Sequence, residues 1–296
     1  MRRRFFTLDV FTDTPLAGNP LAVVLDSEGL APARMQAIAR EFNLSETVFV
    51  EAPRDPVNTA RLRIFTPGRE LPFAGHPTVG TAILLAEQRA PELLGRQDLS
   101  IVLEEMIGLV HCVVRRPKGR TRASFTLPVL PKTAGTPLDQ ANLAAALSID
   151  PGDIGFDQHR LCLMSAGVPY TMVPVASVEA VDRAWPDLSV WPEELETFVY
   201  TRLETSGSLE FYARMFAPTF GITEDPATGS AVAAFAGVLP SSESLADGDH
   251  TILVRQGVAM GRPSTITLGL DITANRLESA SIGGQAVVIS EGTVEL

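Results

Sequence analysis

Two short stretches place an ionisable side chain directly before a proline at the mouth of an apolar run. The first is His76 in "GHPTVGTAILLAE"; the second is Asp225 in "EDPATGSAVAAFAGVL", 149 positions further on (76 to 225). A proline suits the first turn of a helix, because its missing N–H would lack an intrahelical partner there. Small residues follow in both, Thr78 and Gly80 in one and Thr228 and Gly229 in the other, and they leave the first-turn amides uncovered. Such an end holds a carboxylate or an enolate through free N–H groups and the helix dipole. Asp225 also reads as a plain N-cap residue. Histidine is not a favoured cap, so His76 asks for another role. The expected chemistry is the holding of a small anion and the handling of its protons.

The elements that must position these residues recur along the chain. "RIFTP" from Arg63 is echoed by "RMFAP" from Arg214, "GNPLAVV" from Gly18 by "GVPYTMV" from Gly167, and "ETVFV" from Glu46 by "ETFVY" from Glu196. The matches keep one order at a nearly constant spacing of half the chain, which is the signature of an internal repeat. Each half reads as a strand, a helix such as "PARMQAIAREF", two more strands, the special helix and several closing strands. The special helices are apolar or small nearly all round, so each should be surrounded, and a sheet curled about a central helix does this. The class is α+β. The expected domains are 1–128 and 129–284, with the final strand, about 285–296, returning to the first half.

Bulk properties narrow the function. At 296 residues and 45% hydrophobic, the chain can build two cores of ordinary size. A formal charge of −11 argues against a nucleic-acid or anionic-membrane binder. The densest basic run, "RRPKGRTR" from Arg115, lies between strand-like segments and reads as a solvated hairpin loop. The start "MRRRFFTLDVF" has no signal-peptide pattern, and "SAVAAFAGVL" is too short to span a bilayer. Cys112 and Cys162 sit in apolar strand-like runs without metal-ligand spacing. A cytoplasmic protein without a metal site is expected. His111, His159, His250 and the pairs Glu104-Glu105 and Glu193-Glu194 read as structural or exposed, and Asp13 as a turn-former.

The segments "FTDTPLAGNPLAVV", "NLSETVFV", "RIFTPGRELPFAGHPTVGTA" and "MFAPTFGITEDPATGSA" resemble the PhzF family, the phenazine-biosynthesis isomerase-like proteins, which share a fold with diaminopimelate epimerase. The resemblance runs in segments from about residue 5 to the C-terminus. It implies two similar domains, each a barrel-like, mostly antiparallel sheet around a central helix, with the active site in the cleft between them. It also implies a homodimer, no cofactor, and a small anionic metabolite as the partner.

By the same resemblance Glu46 is the proton-transferring glutamate, with His76 and Asp225 as its polar partners. Ser45, Gly75, Gly229 and Ser230 match positions that hold the substrate carboxylate and neighbouring groups. Diaminopimelate epimerases carry two cysteines at the helix openings. Here those places hold His76 and Asp225, which disfavours a two-thiol racemase. The residues themselves are compatible with the glutamate's role: Leu44, Val48 and Phe49 flank Glu46, and burial raises a carboxylate towards a useful base. A helix–strand loop residue making a structural hydrogen bond is the other reading of Glu46. The reactions consistent with the pattern are isomerisation or epimerisation, of which that of a dihydro-hydroxyanthranilate is the family's own. Elimination on the same scaffold and a non-catalytic ligand binder are the alternatives.

Overall fold

Strand β1 (Arg2–Val10) pairs antiparallel with β2 (Asn19–Val24), and the first unit grows outward from this pair. Helix α1 (Pro32–Phe42) follows, then β3 (Glu46–Glu51), β4 (Ala60–Phe65) and the short β5 (Glu70–Leu71). Next come helix α2 (Gly75–Arg89), a single turn α3 (Pro91–Leu94), and strands β6 (Leu99–Glu105), β7 (Gly108–Arg115) and β8 (Arg122–Thr126). Strands β2 and β3 run parallel, as do β4 and β6; the pairs β3–β4, β4–β5, β6–β7 and β7–β8 are antiparallel.

The second unit repeats this plan. Its elements are β9 (Lys132–Gly135), α4 (Gln140–Ala146), β10 (Cys162–Ser165), β11 (Pro169–Pro174), α5 (Val178–Arg183), β12 (Thr197–Leu203), β13 (Leu209–Ala217) and β14 (Ile222–Asp225). Then come α6 (Gly229–Phe235), α7 (Leu239–Ser242), β15 (Gly248–Gln256), β16 (Ser264–Thr273) and β17 (Arg276–Glu295). Strands β11–β12 and β13–β15 are parallel, while β9–β10, β10–β11, β12–β13, β13–β14 and β15–β16 are antiparallel. The alternation matches that of β1 to β7 pair for pair.

In the computed structural model, which describes residues 2–295, the first unit holds the chain to Thr126 and again from Gly283, and the second holds Leu127–Ile282. Strand β17 closes the first unit. It pairs with β8 on one side and antiparallel with β1 on the other, from Arg2↔Glu295 to Val10↔Ala286. The ring β1–β2–β3–β4–β6–β7–β8–β17 is an eight-stranded closed barrel, which leaves no sheet edge exposed.

Helix α2 fills that barrel, touching β1, β2, β3, β6, β7 and β8. Its residues from Gly75 to Ala86 are all buried, which is why its sequence is apolar or small all round. Gly80 serves this packing rather than the uncovering of amides: a Cβ there would lie 2.7 Å from both Leu21 Cδ2 and Val10 Cγ2. Helix α1 lies on the outside and packs Met35, Ile38 and Ala39 against Val24, Phe49 and Phe65. In the second unit α6 contacts β10, β11 and β16.

The two special helices begin differently. Helix α2 starts at Gly75 after an extended, uncapped Ala74, so His76 is its second residue and Pro77 its third. Helix α6 starts only at Gly229 after Thr228, so Asp225 ends β14 and caps nothing. The reason is local: Gln256 pins the Asp225–Thr228 loop, its Nε2 donating to the Asp225 carbonyl at 2.8 Å and its Oε1 accepting from the Thr228 N–H at 3.1 Å. The matched helix openings of the sequence are therefore a helical turn in one unit and a pinned loop in the other.

The basic run forms the turn between β7 and β8, with Pro117–Gly119 as a 3-10 turn. Both cysteines are unbridged; burial pushes the Cys162 thiol up to about 11 and that of Cys112 higher still. Among the described residues no helix is long and apolar enough to cross a membrane.

Candidate active site

Glu46 is the first residue of β3 and lies beside Leu21 of β2 in the parallel register. This brings its carboxylate to the start of α2, where Glu46 Oε2 stands 3.3 Å from His76 Nε2. Both side chains are largely withdrawn from solvent, 13% and 6% exposed. Burial pushes the imidazole down to about 3, against the smaller opposing effect of a hydrogen bond to the Pro20 carbonyl. His76 is therefore neutral at neutral pH, and the pair is not an ion pair.

A neutral imidazole has one N–H, and a carbonyl accepts only from a donor. Nε2 has no hydrogen-bond partner, so the N–H is assigned to Nδ1, facing Pro20. Nε2 then turns its lone pair towards the Glu46 carboxylate. Two acceptors face each other with room for one proton. A proton arriving on Glu46 has a second acceptor at hand, which is the arrangement a shuttling base needs.

The same helix opening supplies amides. Ala74 provides no side-chain cap, and Thr78 makes the first backbone bond of the helix, its N–H to the Ala74 carbonyl at 3.2 Å. Gly75 and His76 carry the preceding N–H groups, at the positive end of a 15-residue helix. Ser45 stands next to Glu46 and is half-buried.

Beneath this opening lies a residue that sequence reasoning missed. Glu105, the last residue of β6, is 8% exposed, and burial raises its carboxyl to about 8. The hydrogen bonds agree with a protonated acid. The Thr78 hydroxyl lies 2.8 Å from the Ala74 carbonyl and 2.8 Å from Glu105 Oε1. One hydroxyl has one proton, and a carbonyl cannot donate. Thr78 thus donates to Ala74, and Glu105 donates to Thr78.

The second unit shows the same construction with an amide. Gln256 ends β15 as Glu105 ends β6, and its Nε2 donates to Thr228 Oγ1 at 3.0 Å, while that hydroxyl donates to Asp225 Oδ2 at 2.5 Å. The sole sign in the sequence was the matched spacing of Glu105 and Gln256 at the ends of equivalent strands.

Asp225, 7% exposed, thus lies at the centre of the second unit's polar cluster with Thr228 and Gln256. Ser230, the second residue of α6, is half-buried and hydrogen-bonded to Tyr170 Oη at 2.7 Å. The structure brings Ser45, Glu46, Gly75 and His76 together in the first unit, and Asp225, Gly229 and Ser230 together in the second.

The remaining ionisable residues belong to the framework. His159 is fully buried between the Tyr200 hydroxyl at 3.0 Å and Glu243 at 2.9 Å. His250 bonds the Ala246 carbonyl, and Asp13 pairs with Arg120. Glu104 accepts from Asn58 and the amides of Arg54 and Asp55, which hold it down at about 2. Among the described residues, no group of three or more His, Cys, Asp or Glu is placed to hold a metal ion.

Residues 8–292 match the model of the family described as phenazine biosynthesis-like protein (PhzC-PhzF). The chain is 48% identical over 300 residues to an uncharacterized isomerase of Mesorhizobium japonicum, covering 98% of both chains. It is 33% identical over 294 residues to trans-2,3-dihydro-3-hydroxyanthranilate isomerase of Pseudomonas fluorescens, covering 99% of each. A solved PhzF-family phenazine biosynthesis protein of Bacillus anthracis superposes with a TM-score of 0.87 at 25% identity, covering both chains completely.

Proposed function

The chain belongs to the phenazine biosynthesis-like PhzC-PhzF family and is an isomerase; on that premise we propose that it moves a proton between two carbons of a small carboxylate-bearing metabolite, using its own side chains and no cofactor. The observation that carries this reading is the buried, neutral His76 with its Nε2 lone pair 3.3 Å from the Glu46 carboxylate.

Glu46 takes a proton from a carbon next to an unsaturated or carbonyl system. The electron pair moves into that system, and the amides of Gly75 and His76 stabilise the charge that develops, an effect of about 3–4 kcal/mol for a well-placed donor. The proton stays on the Glu46–His76 pair and is returned to a different carbon of the same molecule. Ser45 and the opening of α2, with the amides of Gly75 and His76, hold the substrate carboxylate, and the polar cluster of Asp225, Gly229 and Ser230 in the second unit is a second place for polar groups of a ligand. A homodimer and a cytoplasmic location complete the proposal; light scattering that returned a monomer would remove the first.

A substrate of the trans-2,3-dihydro-3-hydroxyanthranilate type fits this reading, since it offers a carboxylate and an acidified ring carbon. The test is turnover of that compound in deuterated water, followed by mass spectrometry. Isomerisation yields a product of unchanged composition, with or without one solvent deuterium on carbon. Loss of a leaving group would replace the proposal with elimination, and no conversion of this or related cyclic acids would leave a binding protein.

A further inference from the structure

Glu105 is a buried acid that the proposed reaction does not use, yet it stands against the opening of α2. Its Oε1 lies 2.8 Å from the Thr78 hydroxyl, and that hydroxyl lies 2.8 Å from the Ala74 carbonyl. Its Oε2 is buried without a hydrogen-bond partner. Two residues further on, the Ile107 N–H donates to the Pro72 carbonyl at 3.2 Å. The end of β6 and the turn after it thus hold the entry to α2 at two points, Pro72 and Ala74.

The hold on Ala74 reaches the anion site through one peptide plane. The Ala74 carbonyl and the Gly75 N–H belong to a single trans peptide and point in opposite directions. The carbonyl accepts from the Thr78 N–H at 3.2 Å and, more closely, from the Thr78 hydroxyl at 2.8 Å. Fixing the carbonyl therefore fixes the direction of the Gly75 N–H at the helix end.

A hydroxyl has one proton, so Thr78 serves Ala74 fully only while its other neighbour supplies a proton of its own. The second unit shows the same construction with an amide as the donor. Gln256 Oε1 accepts from the Thr228 N–H at 3.1 Å, and its Nε2 faces the Ala-side of that loop, donating to the Asp225 carbonyl at 2.8 Å and to Thr228 Oγ1 at 3.0 Å. The Thr228 hydroxyl then donates onward to Asp225 Oδ2. In the first unit a carboxyl group stands at the matching strand end, and it donates only when protonated.

We propose that Glu105 is a positioning residue: its carboxyl proton turns the Thr78 hydroxyl onto the Ala74 carbonyl, and so aims the Gly75 N–H at the substrate carboxylate. This rests on the proposed role of the α2 opening. Loss of the proton turns the hydroxyl towards the carboxylate and releases the Ala74–Gly75 peptide. Of the titratable groups on the elements packed against Glu105, His76 of α2 is neutral and Cys112 of β7 is held protonated by burial. Arg61 and Arg63 of β4 and Arg115 of β7 are paired with Glu51, Glu70 and Asp98, and His111 of β7 is exposed. These leave no cation beside Glu105 to draw off its proton.

The test follows kcat/KM for the dihydro compound from pH 6 to pH 9.5 in the wild type and in Glu105→Gln, Glu105→Leu and Thr78→Val. The wild type should fall about tenfold as Glu105 ionises at about 8, less than the roughly 10²–10³-fold of losing such a donor outright. The conservative Glu105→Gln keeps a donor at every pH, so it should retain the neutral-pH rate and lack this fall. Glu105→Leu should stay about tenfold low throughout, and Thr78→Val should do the same if Glu105→Leu fails to fold. Ionisation of Glu46, His76 or the substrate changes all four proteins alike and cancels in the comparison. A residue needed only for packing would shift the unfolding midpoint and leave the pH profile of the folded enzyme unchanged.

A wild type without the fall, a Glu105→Gln enzyme that shares it, or full activity in a folded Glu105→Leu or Thr78→Val protein overturns the inference. Failure of the isomerase reading shows separately, as absent turnover of the dihydro compound in every protein. The Gly75 amide resonance then decides the inference alone: it should move between pH 7 and pH 9 in the wild type and stay fixed in Glu105→Gln. A resonance fixed in both, or moving equally in both, overturns it.

Discussion

Replacing Glu105 by Gln should stabilise the protein in mildly alkaline solution, although it removes a carboxyl group from the floor of the candidate site. Glu105 is 8% exposed and donates to Thr78, so the folded state holds it protonated, with its pKa raised from 4.5 to about 8. The unfolded chain releases that proton near 4.5. Between these values the folded state binds one proton more than the unfolded state, and stability falls as pH rises. The slope is about 1.4 kcal/mol per pH unit, and the full window of roughly 3.5 units amounts to about 5 kcal/mol. The contribution is complete below about pH 4.5 and is lost as pH rises through about 8.

The variant has no proton to lose, and the second unit shows that the amide fits. Gln256 occupies the corresponding strand end and donates Nε2–H to Thr228 as Glu105 donates to Thr78. Urea unfolding at intervals from pH 5 to pH 9 measures the difference directly. The curves of wild type and Glu105→Gln should lie within about 1 kcal/mol at pH 5 and separate steadily by pH 8, the variant being the more stable. A variant that is less stable at every pH, or a constant separation, would refute the protonated acid and the hydrogen-bond direction deduced at Thr78.

Three further outcomes follow from other parts of the fold. The His76 imidazole, depressed from 6.5 to about 3 by burial, should keep neutral-ring NMR shifts down to pH 5. Its contribution to stability is present above about pH 6.5 and is lost on acidification towards 3, again at about 1.4 kcal/mol per unit, so His76→Asn should flatten the acid limb of the stability profile. Gly80→Ala drives a Cβ against Leu21 and Val10, both at 2.7 Å, and should cost about 1–3 kcal/mol in chemical denaturation; an unchanged midpoint would mean that α2 is looser in its barrel than described. Arg214 and Glu224 form a pair whose side chains are 5% and 6% exposed, and Glu224→Ala should cost about 3–5 kcal/mol by leaving the guanidinium buried and unmatched.

The repeat was legible because strands and turns are local. "RIFTP" and "RMFAP" lie in β4 and β13 and run on beyond them, and "ETVFV" and "ETFVY" open or adjoin β3 and β12. The helix with no polar face announced its own enclosure, since only an interior position satisfies it. The meeting of Glu46 and His76 was reached through family resemblance and has a simple cause in the fold: the parallel register sets the start of β3 beside the opening of α2.

Other features were hidden because they depend on contacts across the sheet. Asp225 looked like a helix cap, but Gln256, 31 residues on, holds the loop and delays the helix. Gly80 looked like an opened amide site until Leu21 and Val10 were seen against it. In the sequence Glu105 reads, like Glu104, as structural or exposed. Its burial is set by Thr78 and the barrel interior, while its neighbour Glu104 is half-buried and bonded to Asn58.

The central claim, that Glu46 carries the proton, is tested most directly by the turnover of a Glu46→Gln variant on trans-2,3-dihydro-3-hydroxyanthranilate, compared with the wild type under the same conditions. Glutamine keeps the shape beside His76 but cannot take the proton, so the rate should fall by about 10²–10⁴-fold while the fold and the unfolding midpoint are retained. A folded Glu46→Gln protein that turned over at the wild-type rate would contradict the claim.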